Sequence, residues 1–179
     1  MDKGKMVQVI YKLEEVNRKG MQDLILFLVK SDYFTAPASS KYHLATQGGL
    51  LEHSINVYNI FWNKCKALGL KVNEESAIIA GLLHDICKVN LYIKTEDGYE
   101  YNEKFNGKGH SELTLKRLES FITLTPLEKA MIKFHMGTFG AFGKYAEYTP
   151  EELHEAIKQY PEVQIFASSD MEATQLEEQ

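Results

Sequence analysis

Five ionisable side chains fall on the apolar stripes of five separate helical segments, and this limits the fold more than any other feature of the chain. His53 lies between Leu50 and Val57. His84 follows Ala77 and Gly81 at helical spacing, and Lys88 comes one turn later. His135 follows Leu127 and Met131, and Asp170 follows Val163 and Phe166/Ala167. His110 opens a segment whose inner face carries Leu113 and Leu118. An ionisable group aimed at a core is costly unless it is paired or bound to a cation. One such histidine is ordinarily a satisfied core residue. A fold that brings all five to one point would satisfy them together at a metal centre. Imidazole with carboxylate suits Mn, Fe, Co, Ni or Zn, and suits Ca less.

The rest of the pattern is that of an all-α protein. Apolar spacing predicts helices over 5–17 and 20–31, with a break at Gly20. Residues 32–47 read as a long loop around Pro37, and a loop of that length often serves a site. The clearest helix covers 49–67, with Gly69 as its C-terminal cap. Asn73 caps a helix over 73–87, with Glu74 and Glu75 in its acidic first turn. Residues 91–104 alternate around Asp97-Gly98 and predict a β-hairpin. Helices follow over 110–122 and 126–136, the second opened by Thr125-Pro126. A Gly- and aromatic-rich loop spans 137–148. Thr149-Pro150 opens a short helix, and Pro161 starts a last one that runs to about 176.

With 179 residues the chain can bury a core of its own, and no Pro/Gly/Ser-rich linker divides it. It therefore reads as one domain over 1–179. No apolar run reaches the roughly 18–20 residues of a membrane span, and the first residues lack the layout of a cleavable signal. Cys65 and Cys87 are too few for a disulfide scaffold, so a reduced, cytoplasmic protein is expected. Lys and Arg number 20 against 25 Asp and Glu, only Arg18 and Arg117 are arginines, and no basic stripe forms. Extended duplex nucleic acid is thus not an expected partner, and neither is a membrane.

The adjacent pair His84-Asp85 sharpens the metal reading. Neighbouring helical residues project about 100° apart. Both can reach one ion only near a helix end or bend, and Cys87-Lys88-Val89-Asn90 offers such an end.

GGLLEHSINVY at 48–58, GLLHDICKV at 81–89, His110, His135 and Asp170 together resemble the HD-domain phosphohydrolase superfamily. The resemblance covers roughly 34–175, behind N-terminal helices at 5–31. It implies an all-α HD-domain helical bundle, with the 91–104 hairpin as a small insertion. It matches His53, His84, Asp85 and Asp170 to the four core metal ligands. His110 in GKGHSELTLKRL and His135 in IKFHMGTFG resemble the extra histidines of branches with a two-metal centre, in which Asp85 would bridge. The chain departs from the family at Cys87, where many relatives carry Gly, and at Met136, where cyclic-dinucleotide enzymes often carry a second histidine.

The implied activity is metal-dependent hydrolysis of a phosphoester or phosphoanhydride in a nucleotide or small phosphodiester. One or two divalent ions would lower the pKa of water and hold phosphoryl oxygens. Asp85 and Lys88 are the catalytic candidates. Lys88, Arg117, His43 and Lys144 are the candidates for substrate contact, with Lys144 and Tyr145 as a rim and Phe139 or Phe142 as a face on which a base could stack. Cys87 reads as packing and His154 as surface. APASSKYHLATQGGLLEHS also looks similar to the HD domain of some 3′–5′ exoribonucleases. Exonuclease action on short single strands is therefore an alternative, and a non-catalytic nucleotide-sensing module is another.

Overall fold

Residues 2–105, 109–143 and 146–177 are described by a computed structural model. Among them the elements are almost all helical, with one two-stranded antiparallel sheet. Helix α1 runs Lys3–Glu14 and starts earlier than the apolar pattern predicts. The Asp2 carboxylate caps it, accepting the Gly4 and Lys5 N–H groups at 2.9 and 3.2 Å. Helix α2 covers Met21–Lys30, and Gly20 marks the break before it. Residues 32–47 form turns and bends, as expected.

Helix α3, Gly49–Leu68, is the central element and packs on α4, Glu74–Leu83, and on α8, Glu162–Glu172. Leu50, Phe61, Ile78, Leu82 and Phe166 are fully buried there, and each such side chain contributes roughly 1.5–3 kcal/mol. Phe61 meets Phe166 edge-on, with ring centroids 5.0 Å apart. Helices α3 and α4 approach closely at Gly81. A Cβ there would stand 2.7 Å from Cα and Cβ of Tyr58.

Two predicted helices stop early. Helix α4 ends at Leu83 rather than 87, and Ile86–Lys88 follows as a separate 3-10 turn. Helix α6, Pro126–Lys133, ends before 136 because Phe134 leaves helical geometry at φ −107°, ψ 16°. His135 therefore sits in the turn beyond the helix. Helix α5, His110–Glu119, also stops short of 122. The hairpin pairs β1, Tyr92–Thr95, with β2, Gly98–Tyr101. Thr95 opposes Gly98, so Glu96-Asp97 forms the turn, one residue earlier than predicted. Gly98, at φ 133°, supplies the conformation the chain needs as it enters β2. Thr125 and Thr149 each form a reciprocal capping box, opening α6 and α7, Pro150–Gln159. Within the predicted loop 137–148, Gly137–Ala141 forms a 3-10 turn. The last segment is divided between α8 and a π-helical turn over Ala173–Glu177.

One buried ion pair braces the bundle. Glu128 of α6 is fully buried and receives Arg18 Nη1 at 2.6 Å and Nη2 at 3.0 Å. It also accepts the Ser76 hydroxyl of α4 at 2.7 Å. No helix among the described residues is long and apolar enough to cross a membrane.

Candidate metal centre

The end of α4 places two neighbouring residues at one point. His84 is the C-cap, its N–H bonded to the Ala80 carbonyl at 3.0 Å. Asp85 then turns out of the helix at φ −110°, ψ 18°. The chain is braced on both sides of this bend. Tyr33, buried in the long loop, donates its hydroxyl to the Leu82 carbonyl. Asp32 accepts the Asn90 N–H at 2.8 Å. Arg117 of α5 donates to the carbonyls of Ile86 at 2.7 Å and Val89 at 3.3 Å.

Two triads converge here. In the first, His53 Nε2 from α3 lies 3.2 Å from His84 Nε2 and 3.2 Å from Asp170 Oδ1 of α8. His84 Nε2 lies 3.9 Å from the same Asp170 oxygen. In the second, Asp85 Oδ1 lies 2.6 Å from His110 Nε2 and 3.8 Å from His135 Nε2. The other oxygen of Asp85, Oδ2, is 3.6 Å from both His53 Nε2 and His84 Nε2. Each triad holds its ligand atoms within 4.8 Å of one another, as a group that could hold a metal ion. One carboxylate thus faces both groups.

Tautomers follow from the outer partners. His84 Nδ1 meets the Gly81 carbonyl at 3.1 Å, and His135 Nδ1 meets the Ile132 carbonyl at 2.7 Å. A carbonyl only accepts, so both Nδ1 atoms carry the proton and both Nε2 lone pairs face inward. His135 Nε2 and Asp85 Oδ1 are buried with no aligned hydrogen bond. Such orphaned acceptors are expensive in a protein interior. A cation would satisfy both at once, and the imidazole–carboxylate donor set fits a first-row divalent ion.

The electrostatics agree with a cation site. Burial holds the His84 imidazole down to a pKa of about 4, so it is neutral and able to ligate. Burial and the neighbouring His110 lower His135 as well. Burial opposes the charge on Asp85, yet Lys88 and the surrounding imidazoles keep its pKa well below the usual carboxylate range. Asp170 is likewise depressed, burial being overcome by its contact with His53. His110 is raised despite burial, by Cys87 and Asp85.

The remaining sequence candidates take different places. Lys88 is drawn into the site, with Nζ 2.6 Å from Asp85 Oδ2. The His43 ring lies 5.1 Å from that of His53, at the edge of the first triad. Arg117 was expected to be able to reach phosphate, but its Nη1 is engaged by the two carbonyls behind the turn. Lys144 and Tyr145 lie outside the described residues. Phe139 and Phe142 are exposed, and so is His154, as expected. Three neighbours carried no sequence signal. Cys87 Sγ, expected only to pack, lies 3.0 Å from His110 Nδ1. Glu147 accepts the backbone N–H groups of His110 and Ser111 at 2.7 and 2.9 Å. Tyr92 of β1 has its hydroxyl pKa raised by burial, then by Tyr101 and Asp85.

Comparison with known proteins returns the family model described as HD domain, matched over residues 50–170. The chain is also similar to the dihydroneopterin 2′,3′-cyclic phosphate phosphodiesterase of Methanocaldococcus jannaschii. The two are 38% identical over 98 residues, which is 52% of this chain and 38% of that relative. The match thus covers less than half of that relative's length. No solved structure matches the chain.

Proposed function

The chain belongs to the HD domain family, and from that premise we propose that it is a metal-dependent phosphohydrolase acting on a small, nucleotide-like phosphodiester. The observation that carries this reading is the position of Asp85 between two triads. Two divalent ions, drawn from Mn, Fe, Co, Ni and Zn, fit the six donors, one held by His53, His84 and Asp170 and the other by Asp85, His110 and His135. Such ions, when bound, acidify water and neutralise charge on phosphoryl oxygens.

This chain's own residues do the rest. His84 and His135, whose imidazoles burial keeps neutral, supply two ligands, His53 supplies a third imidazole, and Asp85 and Asp170 supply fixed negative charge that stays ionised at neutral pH. Lys88 keeps its proton, because Asp85 outweighs the burial that would strip it. It therefore acts as a point charge on a non-bridging phosphoryl oxygen and not as a general base. His43 stands where it can meet the part of the substrate next to His53.

The 2′,3′-cyclic phosphate in the name of the similar archaeal protein points to five-membered cyclic phosphates as the class to try first. The test is turnover by Mn(II)- or Co(II)-loaded protein on a panel of 2′,3′-cyclic nucleotides, linear dinucleotides and single-stranded oligonucleotides. Ring opening of the cyclic phosphates that chelator removes and His84→Ala abolishes supports the reading. Progressive shortening of oligonucleotides with inert cyclic phosphates replaces it with an exonuclease. Tight nucleotide binding without turnover replaces it with a sensing module.

A further inference from the structure

The segment that leaves the site at His135 returns to it at Glu147. Helix α5 begins at His110 with Gly109 as N-cap, so it has no capping side chain of its own. The free N–H groups of its first turn are taken instead by the Glu147 carboxylate, one by each oxygen, at 2.7 Å for His110 and 2.9 Å for Ser111. The donor is the backbone of the very residue whose Nε2 lies 2.6 Å from Asp85. The ring itself is held on its other nitrogen by Cys87 Sγ at 3.0 Å. Two members of the second triad thus each have a neighbour in this part of the chain. His135 stands at its start and Glu147 clamps His110 at its end.

We propose that Glu147 is a positioning residue that sets His110 against Asp85 and His135, so that the second triad is assembled only when the Glu147 carboxylate is bound at the start of α5. This rests on the two-ion reading above and adds to it the element that governs the second position. The clamp is a pair of charge-assisted hydrogen bonds to a helix start, where a carboxylate is also favoured by the helix dipole. Nothing local in α5 replaces it. Loss of the clamp frees the first turn of α5 to fray, and the first residue of that turn is the ligand. Partners that orient a ligand in this way change metal affinity by roughly 10–100-fold when removed.

The test uses the full chain with Glu147→Ala and Glu147→Gln. The glutamine keeps one acceptor oxygen and guards against a variant that fails to fold. Tyr148→Phe is the control, because it removes a different bond of the same segment, Tyr148 Oη–H to the Gly137 carbonyl at 2.8 Å. In metal-free protein labelled at histidine, E147A is expected to shift and broaden the His110 ring resonances and leave those of His53 and His84 sharp. E147Q gives a smaller change and Y148F none. Equilibrium dialysis with Mn(II) then shows second-ion affinity weakened roughly 10–100-fold in E147A, with the first ion retained. Unmoved His110 resonances in E147A and E147Q overturn the proposal, and so does an equal change in Y148F. If the His110 resonances move but wild type takes up no second ion, the positioning role stands and the two-ion reading falls.

Discussion

His84 Nε2 lies 3.6 Å from Oδ2 of Asp85, the next residue in the chain. Side chains of consecutive helical residues diverge by about 100°, so this closeness exists because α4 stops at Leu83 and Asp85 takes φ −110°. The approach of His53 from α3 depends on a second local fact, the absence of a side chain at Gly81.

Gly81→Ala is accordingly expected to damage both stability and metal binding. Helix propensity favours Ala over Gly by about 0.8–1.0 kcal/mol. Against this, the new Cβ would meet Tyr58 at 2.7 Å, and overpacking of this kind costs about 1–3 kcal/mol. The steric cost wins, α3 and α4 separate, and His53 moves away from His84. Chemical denaturation and Mn(II) dialysis should report lower stability and weaker binding together. A stabilised variant with unchanged affinity contradicts the packing argument.

Metal itself should stabilise the fold. An ion at about 100 times its dissociation constant contributes about 2.7 kcal/mol, which for a chain of this size raises Tm by roughly 5–10 °C. Chelator should reverse the shift. His110→Ala should remove one bound ion per chain and leave the His53–His84–Asp170 position filled. Differential scanning fluorimetry with elemental analysis checks both, and two ions retained in His110→Ala would exclude the assignment of the second triad.

Metal-free protein should lose stability in mild acid through His84. Its folded pKa is about 4 against an ordinary 6.5, burial being the main cause. The unfolded chain therefore binds more protons between those values, and stability falls as pH drops from 6.5 toward 4. The gap corresponds to roughly 3 kcal/mol. His135 is lowered and adds to the loss, whereas His110 is raised, so its contribution is essentially complete across this window and is lost only as pH rises above it. Comparing wild type with His84→Gln isolates the His84 part: the variant's denaturation midpoint should fall less across this window. Parallel profiles would rule out a neutral buried His84.

Much of this is legible in the sequence. The capping boxes at Thr125 and Thr149 are local chemistry, written in consecutive residues. The inward faces of His53, His84 and Asp170 follow from periodicity. What could not be read is set by tertiary contact. Helix α6 ends at Lys133 with Phe134 as its C-cap, where no Gly or Pro signals a stop, so periodicity alone assigns His135 to a helix it lies beyond. Arg117 has the correct face for the site, but periodicity does not say that backbone carbonyls of the 86–89 turn take its guanidinium. Glu147 acts on a residue 37 positions away, and no spacing rule links them.

The Arg18–Glu128 pair is expected to matter for stability and not for chemistry. Glu128 is fully buried, with both its oxygens bonded to Arg18 and one also to Ser76. Glu128→Ala takes away the two shortest contacts of Arg18, leaves it the Thr123 carbonyl at 3.1 Å and Glu75 at 3.7 Å, and removes the α6 capping box, at about 1–3 kcal/mol. Urea titration of metal-free protein should show this loss. Mn(II) affinity measured at low denaturant should stay near wild type, because neither residue is among the site's donors. A selective loss of metal binding with unchanged stability would contradict that separation.

Arg117 offers the sharpest division between a brace and a substrate contact. Its Nη1 donates to the Ile86 and Val89 carbonyls, on either side of the turn that carries Lys88. Arg117→Lys keeps the charge but loses the rigid planar guanidinium that holds Nη1 between both acceptors. If Arg117 braces the turn, R117K should weaken Mn(II) binding through Asp85 and lower kcat, while KM at saturating metal changes little. If it touches phosphate instead, KM should rise and metal affinity should hold. Metal dialysis beside steady-state kinetics separates the two, and the observed bonds favour the first.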